Sequence, residues 1–246
     1  MYEPRTYRAW TQGAGLVSFR IVVKETDLAI RARADLTVQA RAATEACRAD
    51  LEAYIARRPE FLTALEPVDV TADAPALVRA MAQAARLAGV GPMAAVAGAI
   101  AEGVGRELVS ISPDAIVENG GDIWLQITRP ALVGLYAGRS PLTGRIAFEV
   151  RPEDTPLGVC TSSGSVGHSL SFGRADAAVV FAPSAALADA VATALGNRVR
   201  APADIDAALA WAQRIPGVLG LAVIAGEHLG LWGNVRIAPA NPKKPC

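Results

Sequence analysis

From Ala115 onward the chain reads as six strand-like runs in close succession, AIVEN, DIWLQIT, ALVGLYA, GRIAFEV, LGVCT and DAAVVFA, punctuated by Gly, Pro and Asn. No helical period interrupts them, so a sheet of several strands must form in the middle of the chain. Upstream, residues 16–34 predict a hairpin, LVSFRIVV and LAIRARA about the polar turn Lys24 to Asp27. Asp35 is placed to cap a helix running to about Arg58, where Pro59 ends it. Further helices are expected from Asp73 to Gly89, with Pro75 in the first turn, and from Pro92 to about Leu108, an alanine-rich stretch buried on most sides. Beyond the strand runs come helices over 184–195 and 202–214, then strands near 217–225 and 229–238. This order predicts an α+β layered domain, an antiparallel or mixed sheet with packed helices, rather than strict βαβ alternation. Neither a low-complexity linker nor a short repeat divides the 246 residues, so 1–246 reads as one domain.

Composition narrows the chemistry. Lys+Arg and Asp+Glu both number 24, which leaves no chain-wide field to hold nucleic acid or an anionic membrane. The longest apolar stretches, such as Gly217 to Gly226, have about half the length that a spanning helix needs. Residues 1–10 lack the apolar core of a signal peptide, and the expected location is the cytoplasm. With only His168 and His228, a three-histidine zinc site is impossible. Cys47, Cys160 and Cys246 form no CxxC pair and are expected to be reduced thiols, Cys160 as a buried strand residue. None of the three lysines follows a glycine-rich loop, which removes the Walker A reading.

Four segments can carry chemistry. In VENGGDI, residues 117–123, Asn119 and Gly120 favour the positive φ angles of a tight hairpin. The same segment serves as a plain turn, or as a place where Gly120 and Gly121 let the backbone approach a ligand beside Glu118 or Asp122. The run TSSGSVG, residues 161–167, precedes His168 and could form a concavity of N–H groups for phosphate. It misses the GxSxG elbow about Ser165 because Ser163 replaces the first glycine, and a Cys160–His168 thiolate pair lacks a third, orienting residue. In PSAALADAVATALGN, residues 183–197, Ser184 is a good N-cap, while Asp189 and Thr193 share a helical face away from Leu187, Val191 and Leu195. That pair is either polar surface or a set of hard oxygen donors suited to Mg2+. Finally, Gly89, Gly91 and Ala94 fit GxGxxA formally, but a helix rather than a strand precedes them, and the dinucleotide fingerprint fails.

In order along the chain, GAIAEG at 98–103, ENGGD at 118–122, TSSG at 161–164 and ADAVATAL at 188–195 resemble the motif series of the ApbE superfamily of flavin transferases, most closely its uncharacterised cytoplasmic relatives. In ApbE enzymes FAD is bound beside a divalent metal, and FMN passes to a threonine or serine of a target protein with release of AMP. The resemblance implies Asp189 and Thr193 as ligands of Mg2+. It implies Glu102, Asn119, Gly120, Gly121, Thr161, Ser162 and Gly164 around FAD or a related nucleotide, and His168, Ser163 and Asp122 as catalytic groups. A small-molecule nucleotide or cofactor and a protein acceptor are the implied partners, with no nucleic acid and no membrane.

Three features depart from that pattern. Glu102 stands where the transferases carry a lysine, the loop after TSSG is short, and the lipoprotein signal common among them is missing. Sequences of this kind occur in methanogens and users of one-carbon compounds. Two other functions therefore stay open: a same-fold enzyme in pterin or one-carbon cofactor biosynthesis, and a non-catalytic ligand-binding protein.

Overall fold

The computed structural model describes residues 15–164 and 173–240. The fold is α+β, and the strand-rich segment makes two antiparallel sheets. The larger has the order β1-β2-β3-β4-β7-β8-β9-β10, formed by β1 (Val17–Val23), β2 (Thr26–Ala32), β3 (Ala115–Asn119), β4 (Asp122–Gln126), β7 (Leu157–Ser162), β8 (Ala177–Ala182), β9 (Gly220–Ala225) and β10 (His228–Gly233). The smaller has the order β11-β6-β5, with β5 (Ala131–Gly134), β6 (Ile146–Val150) and β11 (Ile237–Pro239).

Among the described residues six α-helices accompany these strands: α1 (Thr37–Arg57), α2 (Glu60–Thr63), α3 (Ala76–Ala88), α4 (Val96–Val109), α5 (Ala185–Asn197) and α6 (Ile205–Ala212). Side-chain alternation explains the layers. Val117, Trp124, Cys160 and Val180 point into the core shared with the helices, whereas Ile116, Leu125, Val159 and Val179 point to the other face, against Val133 and Phe148 of the small sheet. Phe148 meets Phe181 edge-on across that second interface, with centroids 5.1 Å apart. Because β8 is covered on both faces, all six of its residues are buried and its sequence reads as a continuous apolar run.

Where boundaries differ from the sequence reading, local chemistry accounts for it. Asp35 does not occupy the N-cap of α1, which is Leu36; it sits one residue earlier and accepts from the Thr37 N–H at 2.9 Å and its hydroxyl at 2.6 Å. The helix expected from Asp73 starts at Ala76, with Pro75 as its cap residue. The expected helices from Pro92 and Pro202 open as 3-10 turns, Pro92–Ala95 and Pro202–Asp204, before α4 and α6 begin. The single strand expected over 229–238 divides between the two sheets. Among the described residues no single helix is long and apolar enough to cross a membrane; α3 and the segment Pro92–Val109 reach that test only together, across a 106° bend.

Helix α5 lies over β7 and β8 and is buried almost throughout, with only Thr193 and Asn197 partly exposed. Of the two readings of Asp189 and Thr193, plain polar surface does not hold for Asp189, which is buried along with Leu187, Val191 and Leu195. The alanines of α5 let neighbouring backbone come close, as Gly98 of α4 does. A Cβ there would strike the Ala185 carbonyl and lie 2.9 Å from Asp189 Cβ. Gly98→Ala is expected to lower unfolding free energy by about 1–3 kcal/mol through overpacking, measurable by urea denaturation. An unchanged midpoint would show that α4 and α5 can move apart without cost.

Candidate functional site

The segments singled out in the sequence converge where the β3–β4 turn, the end of β7, the start of α4 and the middle of α5 meet. Asn119 and Asp122 face each other as a strand pair, so the two-residue turn between them is Gly120–Gly121, with φ of 69° and 109°. Positive φ falls on both glycines and not on Asn119, as the tight turn between right-twisted strands requires. Asn119 is thereby left in the strand, and its Nδ2 donates to the Ala97 carbonyl at 3.1 Å. Glu118 points to the other face of the sheet and closes the turn, its Oε1 accepting from the Gly121 N–H at 2.8 Å.

On the helix side, Asp122 and Asp189 are both buried. Asp122 Oδ1 accepts from the Thr161 N–H at 3.3 Å, and Asp189 Oδ2 from the Gly98 N–H at 2.9 Å. Residues Ala97 and Gly98 of α4 thus hold Asn119 on one side and Asp189 on the other. Burial, followed by the neighbouring Asp189 charge, pushes the Asp122 carboxyl well above the usual range; the Thr161 N–H and the Cys160 thiol offset part of this. Asp189 is pushed up to about 7 by burial, against the lowering effect of the Gly98 and Ala97 N–H groups.

Cys160 lies beneath the pair, where its thiol reaches the Ala185 carbonyl at 3.4 Å. Burial and then the Asp122 and Asp189 charges raise its pKa well above normal, so the sulfur is a protonated donor and not a thiolate nucleophile.

Other predicted residues fall nearby with different partners. Thr161 and Ser162 end β7, and the Ser162 side chain faces Gly196 in the last turn of α5. The Gly164 N–H is spent on the Ala175 carbonyl, so it does not contribute to the anion-binding concavity expected of this loop. Ser163 follows β7 directly, and Thr193 is one turn beyond Asp189 on α5. His168 lies outside the described residues.

Glu102 reaches the N-terminus of α5. Its Oε1 pairs with Arg106 at 2.7 Å, and its Oε2 accepts from Ser184 Oγ at 3.0 Å and the Ala185 N–H at 2.8 Å. What sequence reasoning missed is the contribution of Ala97 and Gly98, whose main-chain groups do the bonding and leave no side-chain signature.

The donor set suits a hard divalent cation held partly by other oxygens. Among the described residues no group of three or more His, Cys, Asp or Glu side chains could hold a metal alone. Two adjoining buried carboxylates whose charges disfavour each other are nevertheless a place where a cation relieves repulsion, and Mg2+ typically takes one or two carboxylates together with substrate phosphates.

A family model described as AbpE bacteria matches residues 8–227. A UPF0280 protein of Methanocella arvoryzae is 48% identical over 189 residues, 76% of this chain and 77% of that one. One from Methanocaldococcus jannaschii is 44% identical over 224 residues, 88% and 90% of the two chains. Among solved structures, the flavinyl transferase ApbE of Pseudomonas stutzeri in its apo form superposes with a TM-score of 0.58 at 13% identity, covering 88% of this chain and 94% of that one. The flavin transferase ApbE of Vibrio cholerae gives 0.56 at 12%, covering 88% and 96%. At such identities the likeness is one of fold.

The raised carboxylates carry a pH signature. Unfolded, both aspartates lose protons near pH 4; folded, they keep them to about pH 7 for Asp189 and higher than normal for Asp122. The folded state binds more protons across that window, so this pair's contribution to stability is fully present below about pH 4 and is lost as pH rises through about 7. In chelator-treated protein this pair is expected to lower stability by a few kcal/mol at most between pH 5 and 8, one pKa unit being about 1.4 kcal/mol. Asp189→Asn should flatten the decline, and an equally steep loss in that variant would place its cause elsewhere.

Proposed function

The chain belongs to the AbpE bacteria family, and on that premise we propose that it is a metal-dependent enzyme acting on a flavin or related phosphorylated nucleotide, with transfer of FMN from FAD as the specific form. The observation that carries the proposal is the buried Asp122–Asp189 pair set against a two-glycine turn. Asp189 with Thr193, and Asp122 beside them, would hold Mg2+. When bound, the ion supplies positive charge where negative charge develops on a phosphoryl group in transfer.

The chain's own residues have the remaining work. Gly120 and Gly121 present backbone without side chains, so a nucleotide can come close to the turn. Asn119, Thr161 and Ser162 line the neighbouring strand ends, while His168, farther along the chain, is the proposed proton acceptor for the attacking hydroxyl. In the specific form, the acceptor's oxygen bonds to the FMN phosphorus, the bridging bond to AMP breaks, and the hydroxyl proton passes to that base.

One observation favours a second reading, a same-fold enzyme acting on another phosphorylated cofactor of the pterin or one-carbon kind. Glu102 is committed to α5, and no cation takes its place in the motif. The two readings separate by calorimetric titration of FAD, FMN and a phosphorylated pterin with Mg2+ present, combined with a mass assay for FMN on a threonine peptide and free AMP. FMN transfer is expected to need Mg2+, and Asp189→Ala should weaken Mg2+ binding by more than the roughly 10–100-fold that loss of an outer-shell partner costs. Tight pterin phosphate binding without AMP release would favour the second reading. Binding of none of these ligands would sink both.

A further inference from the structure

Glu102 is a motif residue whose carboxylate the proposed chemistry leaves unused, and its contacts show a different task. Helix α5 begins with Ser184 as N-cap, and the Ser184 hydroxyl accepts from the Leu187 N–H at 3.4 Å. In an ordinary capping box a carboxylate three residues after the cap would reach back to the cap's own backbone N–H, but position three here is Leu187. Glu102 brings a carboxylate to this terminus from another helix, taking the Ser184 hydroxyl and the orphan Ala185 N–H. A negative charge is also favoured there by the dipole of α5.

The placement has a consequence one turn away. Gly98 and Glu102 lie four residues apart on α4, and Ala185 and Asp189 lie four apart on α5. Glu102 bonds Ala185 while Gly98 bonds Asp189, so the two helices run antiparallel and are joined by two rungs one turn apart. At Gly98 the α5 backbone lies so close that a Cβ would strike the Ala185 carbonyl. We infer that Glu102 is a positioning residue: it fixes the axial register of α5 on α4 and thereby sets Asp189 against Asp122 and the β3–β4 turn. Arg106, paired with the other carboxylate oxygen, holds Glu102 in the required orientation. This inference rests on the metal reading of the Asp122–Asp189 pair for its functional meaning, and on the two rungs alone for its geometry.

The test uses Glu102→Ala and Glu102→Gln in the full chain, with two readouts. Hydrogen exchange of the Gly98 amide, taken relative to core amides such as Val180, reports the second rung. Mg2+ titration reports the site. In Glu102→Ala the relative exchange at Gly98 should rise, and the Mg2+ dissociation constant should rise about 10-fold or more, as when an outer-shell partner of a metal ligand is lost. Glu102→Gln keeps an oxygen acceptor for the Ala185 N–H and should recover most of both. A purely structural role would speed all core amides alike and leave Mg2+ affinity unchanged, and either result overturns the positioning role. Absence of Mg2+ binding by the unaltered chain would overturn the metal reading, while Gly98 exchange would still decide whether Glu102 sets the register.

Discussion

Two carboxylates buried side by side are the constraint around which this part of the molecule is arranged. Asp122 belongs to the sheet and Asp189 to the helix that covers it, so their mutual repulsion acts across the packing interface itself. Each is met by main-chain N–H groups, Thr161 for one and Gly98 with Ala97 for the other. Those donors are available only because β7 ends beside Asp122 and α4 starts beside Asp189. The local order of strand end, turn and helix start is therefore also the electrostatic support of the pair.

Helix α5 shows how that support is kept while apolar packing continues around it. Its small residues allow β7 to lie against Ala185 at Gly158 and α4 to touch it at Gly98, contacts that a larger side chain at either glycine would block. A buried polar group needs its partners delivered with accuracy, and a helix packed backbone to backbone has little freedom to drift. Cys160, buried below Asp122, adds a weak donor without adding charge.

Much of this was legible in the residues. The strand runs from AIVEN to DAAVVFA were visible because their apolar residues and turn punctuation are strong signals, and Ser184 was recognisable as a cap from residue type alone. The division into two sheets was not visible, since the runs that form β5 and β6 have the same composition as those of the large sheet, and only pairing separates them. Motif order brought Asp122, Gly120, Gly121 and Asp189 to one place on paper; in the fold Gly120 and Gly121 form the turn before Asp122, and Asp122 feels the Asp189 charge. For Glu102, motif position indicated a nucleotide contact, but position along a helix does not state direction: its carboxylate reaches Ser184 and Ala185, a partnership between residues distant in sequence. The Ala97 and Gly98 contribution was invisible because a backbone amide has no letter of its own.

The small sheet has a bearing on the order of assembly. Its central strand β6 pairs with β5 nearby in the chain and with β11 far beyond it, Phe148 lying opposite Ile237. Most of β7, β8, α5, α6, β9 and β10 must be made before that second pairing can exist. Contacts of such long sequence separation come late, after their loop-closure entropy has been offset by other packing. During synthesis, then, β5 and β6 can already cover Val159 and Phe181, while the outer edge of β6 stays unpaired until β11 emerges from the ribosome, an interval in which a bare strand edge is open to pairing with another chain.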